Sequence, residues 1–590
     1  MSRRLCALIV TLAGAAGVVV PQTSADDDVL LRAMRDELER SRQLRVVGGQ
    51  DLPYFFSYSL TDSDSFRVAA TMGAPVNAGH TRFRAPTVEV RVGNYDFDNT
   101  GHIFSGLYTG SRYDLDTWPL DDHYEMFRQC LWLATDRAYK TALESMSRKR
   151  AALNNVAATS EKLADFSPAD PVKSIAQVTR KKIDEAAWTS RVLKLSSVFN
   201  AYPEVLASEV EFQAIDGVTY LVNSEGEAIR YGDSLAWLYA KAEGQAPDGM
   251  PLRGAASFQA LGLEKLAPET EIRRAFTDLA ETIRALAHAP AGAAFSGPTL
   301  FEPQAAAQLF AQLLGDNLRV PRKPLAEPGR PVNFVASEFE TKIGSRILPD
   351  WMDVTDDPTQ ASWRGKALAG YYTFDLEGVP PKAARAVEKG ILKSFVTTRQ
   401  PTKGFASSNG HARLPGRYGA HLAAIGNLFV NTSQAMPLAD LKKRLVEMCR
   451  ERGKPYGMLV RKLDYPFSAG PSELQTLASS GAQSGGSVRP VSPPILVYRV
   501  YEDGREELVR GLRFRGVSTR SLRDIVAASQ ETALFDFVNN AALLAMPGMG
   551  GFLAPSAIVA PALLFDEIEF ELPQDQLPKL PVVPPPNAAR

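Results

Sequence analysis

The residues of this sequence best suited to chemistry include four aspartates within eight positions, followed directly by a proline. They are Asp350, Asp353, Asp356 and Asp357, with Pro358 next. Clustered carboxylates serve as metal ligands, as an acid/base pair or as acceptors in a solvated turn. Because Asp356 precedes a second aspartate and a proline, its side chain can accept backbone N–H groups while the proline ends the preceding strand. We therefore interpret the cluster as a structural turn in preference to a metal site.

The histidines form no helical metal motif. There are six of them, His80, His102, His123, His288, His411 and His421. No two are four or five residues apart, the spacing at which one helix directs two imidazoles at one metal. His411 and His421 flank a glycine-rich segment, which indicates either exposed loop side chains or a loop site. We assign no catalytic residue and no metal ligand, and retain His411, His421 and the nearby Asn409 as candidate binding residues.

The N-terminus predicts export. Arg3 and Arg4 precede the apolar run 5–20, and small residues occupy positions 23–25, where a signal peptidase reads. We therefore expect a signal peptide at 1–25 and a periplasmic or secreted mature chain. The uncharged stretch 537–565 is long enough to cross a bilayer, but its prolines and glycines break it into pieces too short for a helix. It is interpreted as a loop followed by a buried strand.

Composition excludes several classes of protein. The net charge is −1 with the charged residues interspersed, so no nucleic-acid surface is expected. GxSxG, P-loop and GxGxxG motifs are absent from the sequence. Two cysteines remain after the signal, Cys130 and Cys449, and neither has a CxxC spacing. Both lie in helical patterns, which favours buried free thiols, although one disulfide stays open.

Hydrophobic periodicity predicts an α+β N-terminal region at residues 26–295. Helices are predicted at 26–45, 121–152 and 269–289, and strands at 51–70, 87–97, 207–216, 218–223 and 227–233. Tight turns are predicted at Asp216-Gly217 and Glu225-Gly226, because such dipeptides favour hairpins. A mixed α/β domain follows from this order of elements.

A connecting segment and a second region complete the chain. The connecting segment, 296–330, is predicted to hold a short strand and an alanine-rich helix that starts at Pro303 and ends near Gly315. The second region, 331–571, is predicted to be β-rich with helices at 380–392 and 438–452 and a hairpin turning at Asp503-Gly504. Residues 470–494 have a loop or linker composition, and the proline-rich tail 572–590 is expected to be disordered.

Several motifs resemble the TldD/PmbA peptidase family. They are the DDPT turn at 356–359, the FDLEGVP segment at 374–380 and the GILKSF segment at 390–395, together with VNSEG at 222–226, SSNGHAR at 407–413 and the terminal strand 554–571. The resemblance covers roughly residues 190–570, and it implies an α+β fold with a β-rich C-terminal domain. It also implies a role in the proteolysis of peptides or unfolded segments.

The zinc motif of that family is missing. In the TldD-type member, zinc is held by an HExxxH motif on the helix that corresponds to 303–316, plus a cysteine before the terminal strand. This chain has the helix sequence PQAAAQLFAQLLGD and no cysteine at 539–556. Gln304, Gln308 and Gln312 form a polar stripe, but neutral amides are poor zinc ligands. The chain thus resembles the PmbA (TldE) side of the family, and no cofactor is predicted unless a partner subunit carries zinc.

Three hypotheses follow from the resemblance. The first is a zinc-less, PmbA-like subunit that binds an extended peptide and works with an HExxxH-bearing TldD-like partner or as a homodimer. The second is a peptidase whose metal is held by other groups, such as His411, His421 and the aspartates at 353–357. The third is a non-catalytic periplasmic peptide-binding or scaffold protein. Gln308 and Gln312 join His411, His421 and Asn409 as candidate binding residues.

Overall fold

The computed structural model describes most of the chain, with several gaps. The described residues are 28–44, 51–103, 112–113, 118–154, 163–326, 334, 336–414, 420–465, 491–539, 554–573 and 577–583. The predicted signal peptide and most of the predicted 470–494 loop lie outside them. Within these ranges, no helix combines the length and the apolar character that a membrane crossing requires.

Six α-helices occur in the described residues. They are α1 (Val29–Ser41), α2 (Tyr124–Leu153), α3 (Glu185–Ser196), α4 (Glu269–His288), α5 (Pro303–Phe310) and α6 (Leu438–Glu451). The helix α5 continues into a π-helical turn, Ala311–Gly315. The helices predicted near the N-terminus and at 121–152, 269–289 and 438–452 are confirmed, as is the helix start at Pro303.

The N-terminal part of the chain contains strands β1 to β8, seven of which form one sheet. Their bounds are β1 (Pro53–Thr71), β2 (Ala74–Val92), β3 (His102–Ile103), β4 (Arg112–Tyr113), β5 (Lys173–Ile175), β6 (Ala207–Asn223), β7 (Ala228–Gln245) and β8 (Pro251–Ala260). The sheet has the order β4-β2-β1-β6-β7-β5, with β8 also paired to β7, and β3 lies outside it. Long antiparallel neighbours therefore make up most of this sheet.

The two faces of β1 differ in chemistry because strand side chains alternate. Phe56, Tyr58 and Leu60 are buried in a core shared with α1 and α2. Farther along, Phe66 and Val68 on the same face are buried in a core shared with α3 and α4. The opposite face carries half-buried hydroxyl side chains instead and looks toward the C-terminal part of the chain.

A C-terminal sheet contains most of the remaining strands. Their bounds are β9 (Phe295–Phe301), β10 (Leu325–Ala326), β11 (Met352–Asp356), β12 (Ser362–Trp363), β13 (Lys366–Ala367), β14 (Ala384–Glu388), β15 (Ile391–Leu392), β16 (Ala412–Leu414), β17 (Leu422–Ala423), β18 (Asn427–Thr432), β19 (Tyr456–Leu463), β20 (Pro494–Tyr501), β21 (Glu506–Val509), β22 (Arg513–Arg515), β23 (Ile525–Asn539) and β24 (Ala554–Glu571). The main sheet runs β15-β14-β11-β18-β24-β9-β19-β20-β21, with β22 and β23 paired to β24.

The strand β24 is the centre of this sheet. It pairs with β18 in parallel and with β9, β22 and β23 antiparallel. Its first twelve residues are all buried, as expected for an uncharged run covered on both faces. The buried strand predicted within 537–565 is therefore confirmed, whereas residues 540–553, where the loop was expected, lie outside the described residues. The hairpin turn at Asp503-Gly504 is also confirmed, and Gly504 has φ +82°.

The helix predicted at 380–392 is wrong. This stretch forms the β14–β15 hairpin, in which Val387 pairs with Leu392. The turn residues Lys389 and Gly390 have φ of +46° and +73°, which a helix does not allow. Alanine, glutamate and lysine favour a helix locally, but pairing of β14 with β11 provides long-range hydrogen bonds that override this preference.

The turn predicted at Asp216-Gly217 is also wrong, whereas the turn at Glu225-Gly226 is confirmed. The strand β6 passes through Gly217 without a break. A Cβ atom at Gly217 would lie 2.7 Å from Ser63 Oγ and 2.8 Å from the Asp233 carbonyl oxygen. Glycine at this position therefore permits close strand packing in place of a turn.

The tail and the cysteines can be placed in part. Residues 577–579 of the tail lie against the β7–β8 turn, where Gln245 Nε2 donates to the Pro578 carbonyl oxygen at 3.1 Å. Cys130 is half-buried, and Cys449 is a buried free thiol. Burial raises the pKa of Cys449 to about 11.

Candidate functional site

Asp356, from the aspartate cluster, is a buried residue at the end of β11. Its carboxylate accepts the Gly426 N–H at 2.9 and 3.1 Å, and Oδ2 lies 2.9 Å from His411 Nε2. Asp356 and His411 are both fully buried. The turn acceptor is Asp357 in place of the expected Asp356. The Oδ1 atom of Asp357 accepts the Thr359 N–H at 3.1 Å and the Thr359 Oγ1 hydroxyl at 2.6 Å. The structural interpretation stands, but the residue that caps the turn is corrected.

His411 and Asn409 extend this buried chain. His411 Nδ1 lies 2.8 Å from Asn409 Oδ1 and 3.1 Å from the Asn409 carbonyl oxygen. Asn409 also accepts the Thr397 N–H and donates to the Phe395 carbonyl oxygen. Both candidate binding residues therefore have inward-facing partners, and the series Asn409–His411–Asp356 joins the segment before β16 to the end of β11.

Gln308 and Gln312 lie inside the protein as well. Gln308 Nε2 donates to the carbonyl oxygens of Leu463 and Tyr465, and its Oε1 accepts the Leu463 N–H at 2.8 Å. Gln312 Oε1 accepts the Ser492 N–H at 2.8 Å, and its Nε2 donates to Ser492 Oγ at 3.0 Å. These amides connect α5 and its π-turn to the end of β19 and the start of β20.

The helix position of the family's zinc site does not fit a metal. Between Pro303 and Gly315 the only side chains with donor atoms are glutamines, and Gln308 and Gln312 are satisfied by the backbone and Ser492. Alanine, leucine and phenylalanine fill the rest of the helix and are buried in the core of the C-terminal sheet. Neutral amides already bonded in this way offer no site for zinc.

The alternative metal site draws no support from the geometry. His411 contacts Asp356, whereas His421 Nδ1 contacts Glu377 Oε1 at 3.2 Å, so the two histidines belong to separate pairs. Among the residues that the structure describes, no three histidine, cysteine, aspartate or glutamate side chains converge to hold a metal ion.

A cleft lies between the two sheets and contains a cavity of about 90 Å³, which we call the central cleft. Its floor consists of side chains from β1, β2, β6 and β7, chiefly Phe55, Ser57, Ser59, Thr61, Thr87, Glu89, Thr219 and Tyr231. Its roof consists of Phe374, Asp375, Leu376, Glu377, Arg399 and His421. Of the candidate binding residues, His421 alone lines this cleft.

Arg399 joins the two sides of the central cleft. Its side chain is 1 % exposed; Nε donates to the Ser167 carbonyl oxygen at 2.8 Å and Nη2 to Glu225 Oε1 at 2.6 Å. Its guanidinium carbon lies 4.0 Å from the ring centre of Phe166. The Arg399 N–H donates to Glu377 Oε2 at 2.7 Å. The VNSEG and FDLEGVP motifs, more than 140 residues apart in sequence, meet at this arginine.

Glu377 and His421 form an ion pair in the roof. Burial opposes ionisation of Glu377, but the hydrogen bond from His421 holds the pKa of Glu377 below its ordinary value. Burial likewise opposes the charged form of His421, yet the Glu377 carboxylate raises the pKa of His421. The two shifts agree, because each charge favours the other.

Two nearby carboxyl groups are shifted the opposite way. Burial raises the pKa of Asp375 to about 7, helped by the Glu377 charge, although three backbone N–H groups oppose the shift. Burial also raises the pKa of Glu227 to about 8, with Arg399 opposing and Asp375 adding to the effect. The Glu227 carboxylate packs against Gly378, where a Cβ atom would lie 2.2 Å from Oε1. The cleft therefore concentrates perturbed carboxyl groups, which is typical of functional sites.

Sequence reasoning missed most of the residues that line this cleft. Glu225, Asp375 and Glu377 lie in the recognised motifs, so a signal for them existed, but nothing local marked their side chains as neighbours. Arg399 follows an ordinary strand-like stretch and carried no signal of its own. Its role depends on Ser167 and Glu225, which are far away in sequence.

Comparison with known proteins agrees with this architecture. Residues 296–462 match the family described as the PmbA/TldA metallopeptidase C-terminal domain. A protein from Archaeoglobus fulgidus named a metalloprotease is 27% identical over 97 residues, a match that spans 16% of this chain and 21% of that protein. The chain therefore spans about a fifth of this relative.

Three solved structures share the fold. A proposed modulator of a DNA gyrase from Thermotoga maritima is 15% identical with a TM-score of 0.53, covering 88% of this chain and 96% of its own. TldE from Thermococcus kodakarensis is 14% identical with a TM-score of 0.53, and the match covers 91% of this chain and 100% of the TldE chain. A proposed modulator of DNA gyrase from Bacteroides thetaiotaomicron is 12% identical with a TM-score of 0.55, and the match covers 93% of this chain and 100% of the Bacteroides chain.

These comparisons confirm both the α+β fold class and the family expected from the sequence motifs. The matched domain overlaps the DDPT, FDLEGVP and SSNGHAR segments that carried the resemblance. Residues 296–462 are thus a domain of the PmbA/TldA metallopeptidase C-terminal family, and the chain shares the fold of the solved TldE structure.

Proposed function

We propose that this chain is an exported, zinc-less, PmbA-like subunit that binds extended peptide and contributes to proteolysis through an HExxxH-bearing partner. One observation carries the proposal. The helix α5 and its π-helical turn are present, yet their buried polar side chains, Gln308 and Gln312, are bonded to backbone groups and to Ser492. A chain with this helix can hold a substrate but has no zinc to activate water there.

Two features support peptide binding. The floor of the central cleft presents half-buried hydroxyl groups of Ser57, Ser59 and Thr61, which can bond peptide groups of any sequence. In addition, residues 74–82 of β2 are exposed, and within the described residues the outer edge of β2 pairs only at Thr87 and Val88. An exposed strand edge accepts an extended peptide by strand addition, whose main-chain hydrogen bonds are indifferent to side chains.

Two measurements test the proposal. Elemental analysis of the purified chain should find no stoichiometric zinc, and an unfolded test peptide should stay intact when incubated with the chain alone. Adding an HExxxH-bearing homologue from the same source should produce cleavage that a chelator stops, beyond what the homologue does by itself. About one tightly held zinc per chain, or chelator-sensitive cleavage by the isolated chain, would overturn the zinc-less assignment.

The alternative of a non-catalytic peptide-binding or scaffold protein gives a different result. In that case no zinc-bearing homologue associates with the chain in size-exclusion chromatography, and the mixture cleaves no faster than the homologue. Peptide binding by the isolated chain then separates a binding protein from a scaffold. A cleavage rate that rises with added chain until it saturates at one chain per homologue supports the paired subunit.

A further inference from the structure

The central cleft has more carboxylates than cations. Glu89, Asp375 and Glu377 line the cavity directly. Glu225 and Glu227 lie behind them, since Glu225 contacts Arg399 and the Glu227 carboxylate packs against Gly378. Five acidic side chains are thus gathered around a cavity of about 90 Å³.

The cations near the cavity are already engaged. The Arg399 guanidinium donates to Ser167 and Glu225, and Arg91 donates to Glu89 at 2.6 Å and to Asp98 at 2.9 Å. His421 is paired with Glu377. No permanent positive charge among the described residues that line the cavity is left to face Asp375, whose oxygens accept three backbone N–H groups instead.

At neutral pH, protons on Asp375 and Glu227 reduce the negative charge that no cation of the cavity lining neutralises. The pKa of Asp375 is raised to about 7 and that of Glu227 to about 8, in both cases first by burial. Groups that face these two carboxyls from both sides are Glu225, Glu377, Arg399 and His421. A bound cation would stabilise the ionised carboxylates and release the protons.

The remaining walls suit an amphipathic cation. Phe55, Tyr231 and Phe374 offer aromatic surface beside the carboxylates, and Ser57 and Ser59 offer hydroxyl acceptors. The chain itself displays such an arrangement at the edge of the cleft. There the Arg399 guanidinium carbon lies 4.0 Å from the Phe166 ring centre and 5.2 Å from that of Phe55, with Glu225 as its ion partner.

We propose that the central cleft binds the cationic group of a peptide, an ammonium or a guanidinium, among the carboxylates of Glu89, Asp375 and Glu377, of which Asp375 faces no cation of the described cavity lining. This inference rests on the proposed peptide binding and adds a charge preference to it. The ammonium can come from a lysine side chain or from the peptide's own N-terminus, and a guanidinium from arginine. Aromatic walls hold the apolar stem while the carboxylates hold the charge.

Calorimetric titration with matched peptides tests the charge preference. The probes are hexapeptides of one sequence, blocked at both ends, with a central lysine, arginine or norleucine, and a norleucine peptide with a free N-terminus. At pH 7.5 the lysine and arginine peptides should bind at least tenfold more tightly than blocked norleucine. Tighter binding by the free-terminus peptide alone assigns the cleft to the terminal ammonium. Equal affinity for all four overturns the inference but leaves peptide binding intact, whereas no binding by any of them refutes both.

Two variants and a pH series locate the site. Glu377→Gln should abolish the preference for the cationic peptide, whereas Glu209→Gln, an exposed carboxylate on β6, should leave it unchanged. With wild-type protein the preference should grow from pH 6 to pH 8.5 as the carboxyls ionise, and titration in two buffers should reveal proton release. A preference that is independent of pH and unaffected in a folded Glu377→Gln protein overturns the assignment. If that variant fails to fold, the pH series with the wild-type protein decides.

Discussion

Replacement of Asp356 by alanine should destabilise the protein strongly, although the residue comes from an apparently ordinary acidic turn. The carboxylate is fully buried and accepts from both Gly426 N and His411 Nε2. Alanine would leave these two donors buried without an acceptor. An unsatisfied buried donor costs about 1–3 kcal/mol, so two such donors together cost about 2–6 kcal/mol. We therefore expect Asp356→Ala to lower the free energy of unfolding by about 3–5 kcal/mol.

Two further variants in the same segment isolate the cause. Asp356→Asn keeps an oxygen for the Gly426 N–H and loses the charge, so a smaller cost of about 2 kcal/mol is expected. Asp350→Ala removes an exposed carboxylate from the same cluster and should change stability by no more than about 0.5 kcal/mol. Urea unfolding followed by tryptophan fluorescence measures all three, and circular dichroism confirms that each variant is folded.

The ordering of the three variants decides the interpretation. If Asp356→Ala unfolds at the same urea concentration as Asp350→Ala, the buried contacts do not stabilise the fold and the reasoning is refuted. Unchanged stability combined with lost peptide binding would instead make the aspartate cluster a ligand site. A large loss of stability with normal peptide affinity in the remaining folded protein supports the structural role.

Two other predictions concern Glu227 and its neighbour Gly378. Burial raises the pKa of Glu227 from 4.5 to about 8, so the folded protein holds a proton that the unfolded chain releases, and stability falls as pH rises between these values. The Glu227→Gln variant lacks this pH-dependent loss of stability. Urea titrations should therefore show that the variant gains stability relative to wild type from pH 5 to pH 8. Parallel pH profiles of the two proteins would contradict the raised pKa of Glu227. Gly378→Ala should cost more than Gly404→Ala, because both glycines have φ +80° but only at Gly378 would the new Cβ meet a carboxylate, that of Glu227. At either site the backbone strain should lower the free energy of unfolding by about 1–2 kcal/mol. Overpacking should lower it by about 1–3 kcal/mol more at Gly378. Thermal unfolding measures the difference, and equal melting temperatures for the two variants would show that Glu227 moves aside.

The sequence alone determined the elements whose signals are local. The helices α2, α4 and α6 follow from apolar residues that recur at helical spacing, and the hairpin at Asp503-Gly504 follows from its turn residues. The family motifs also identified the fold class, because the TldD/PmbA likeness rests on residue types that are readable without coordinates. The absence of the zinc ligands at 303–316 is also evident from the amino-acid sequence alone.

Long-range contacts decided the rest. Residues 384–392 have helix-favouring composition, but the available strand β11 made them a hairpin. The sequence predicts His411 as an exposed loop side chain or as part of a loop site, whereas in the structure it lies in the core against Asp356, 55 residues earlier. At the central cleft, Arg399 joins the Glu225 and Glu377 segments, which are far apart in sequence. Burial and neighbouring charge shift the pKa values there, and both depend on tertiary packing, which no local pattern of residues encodes.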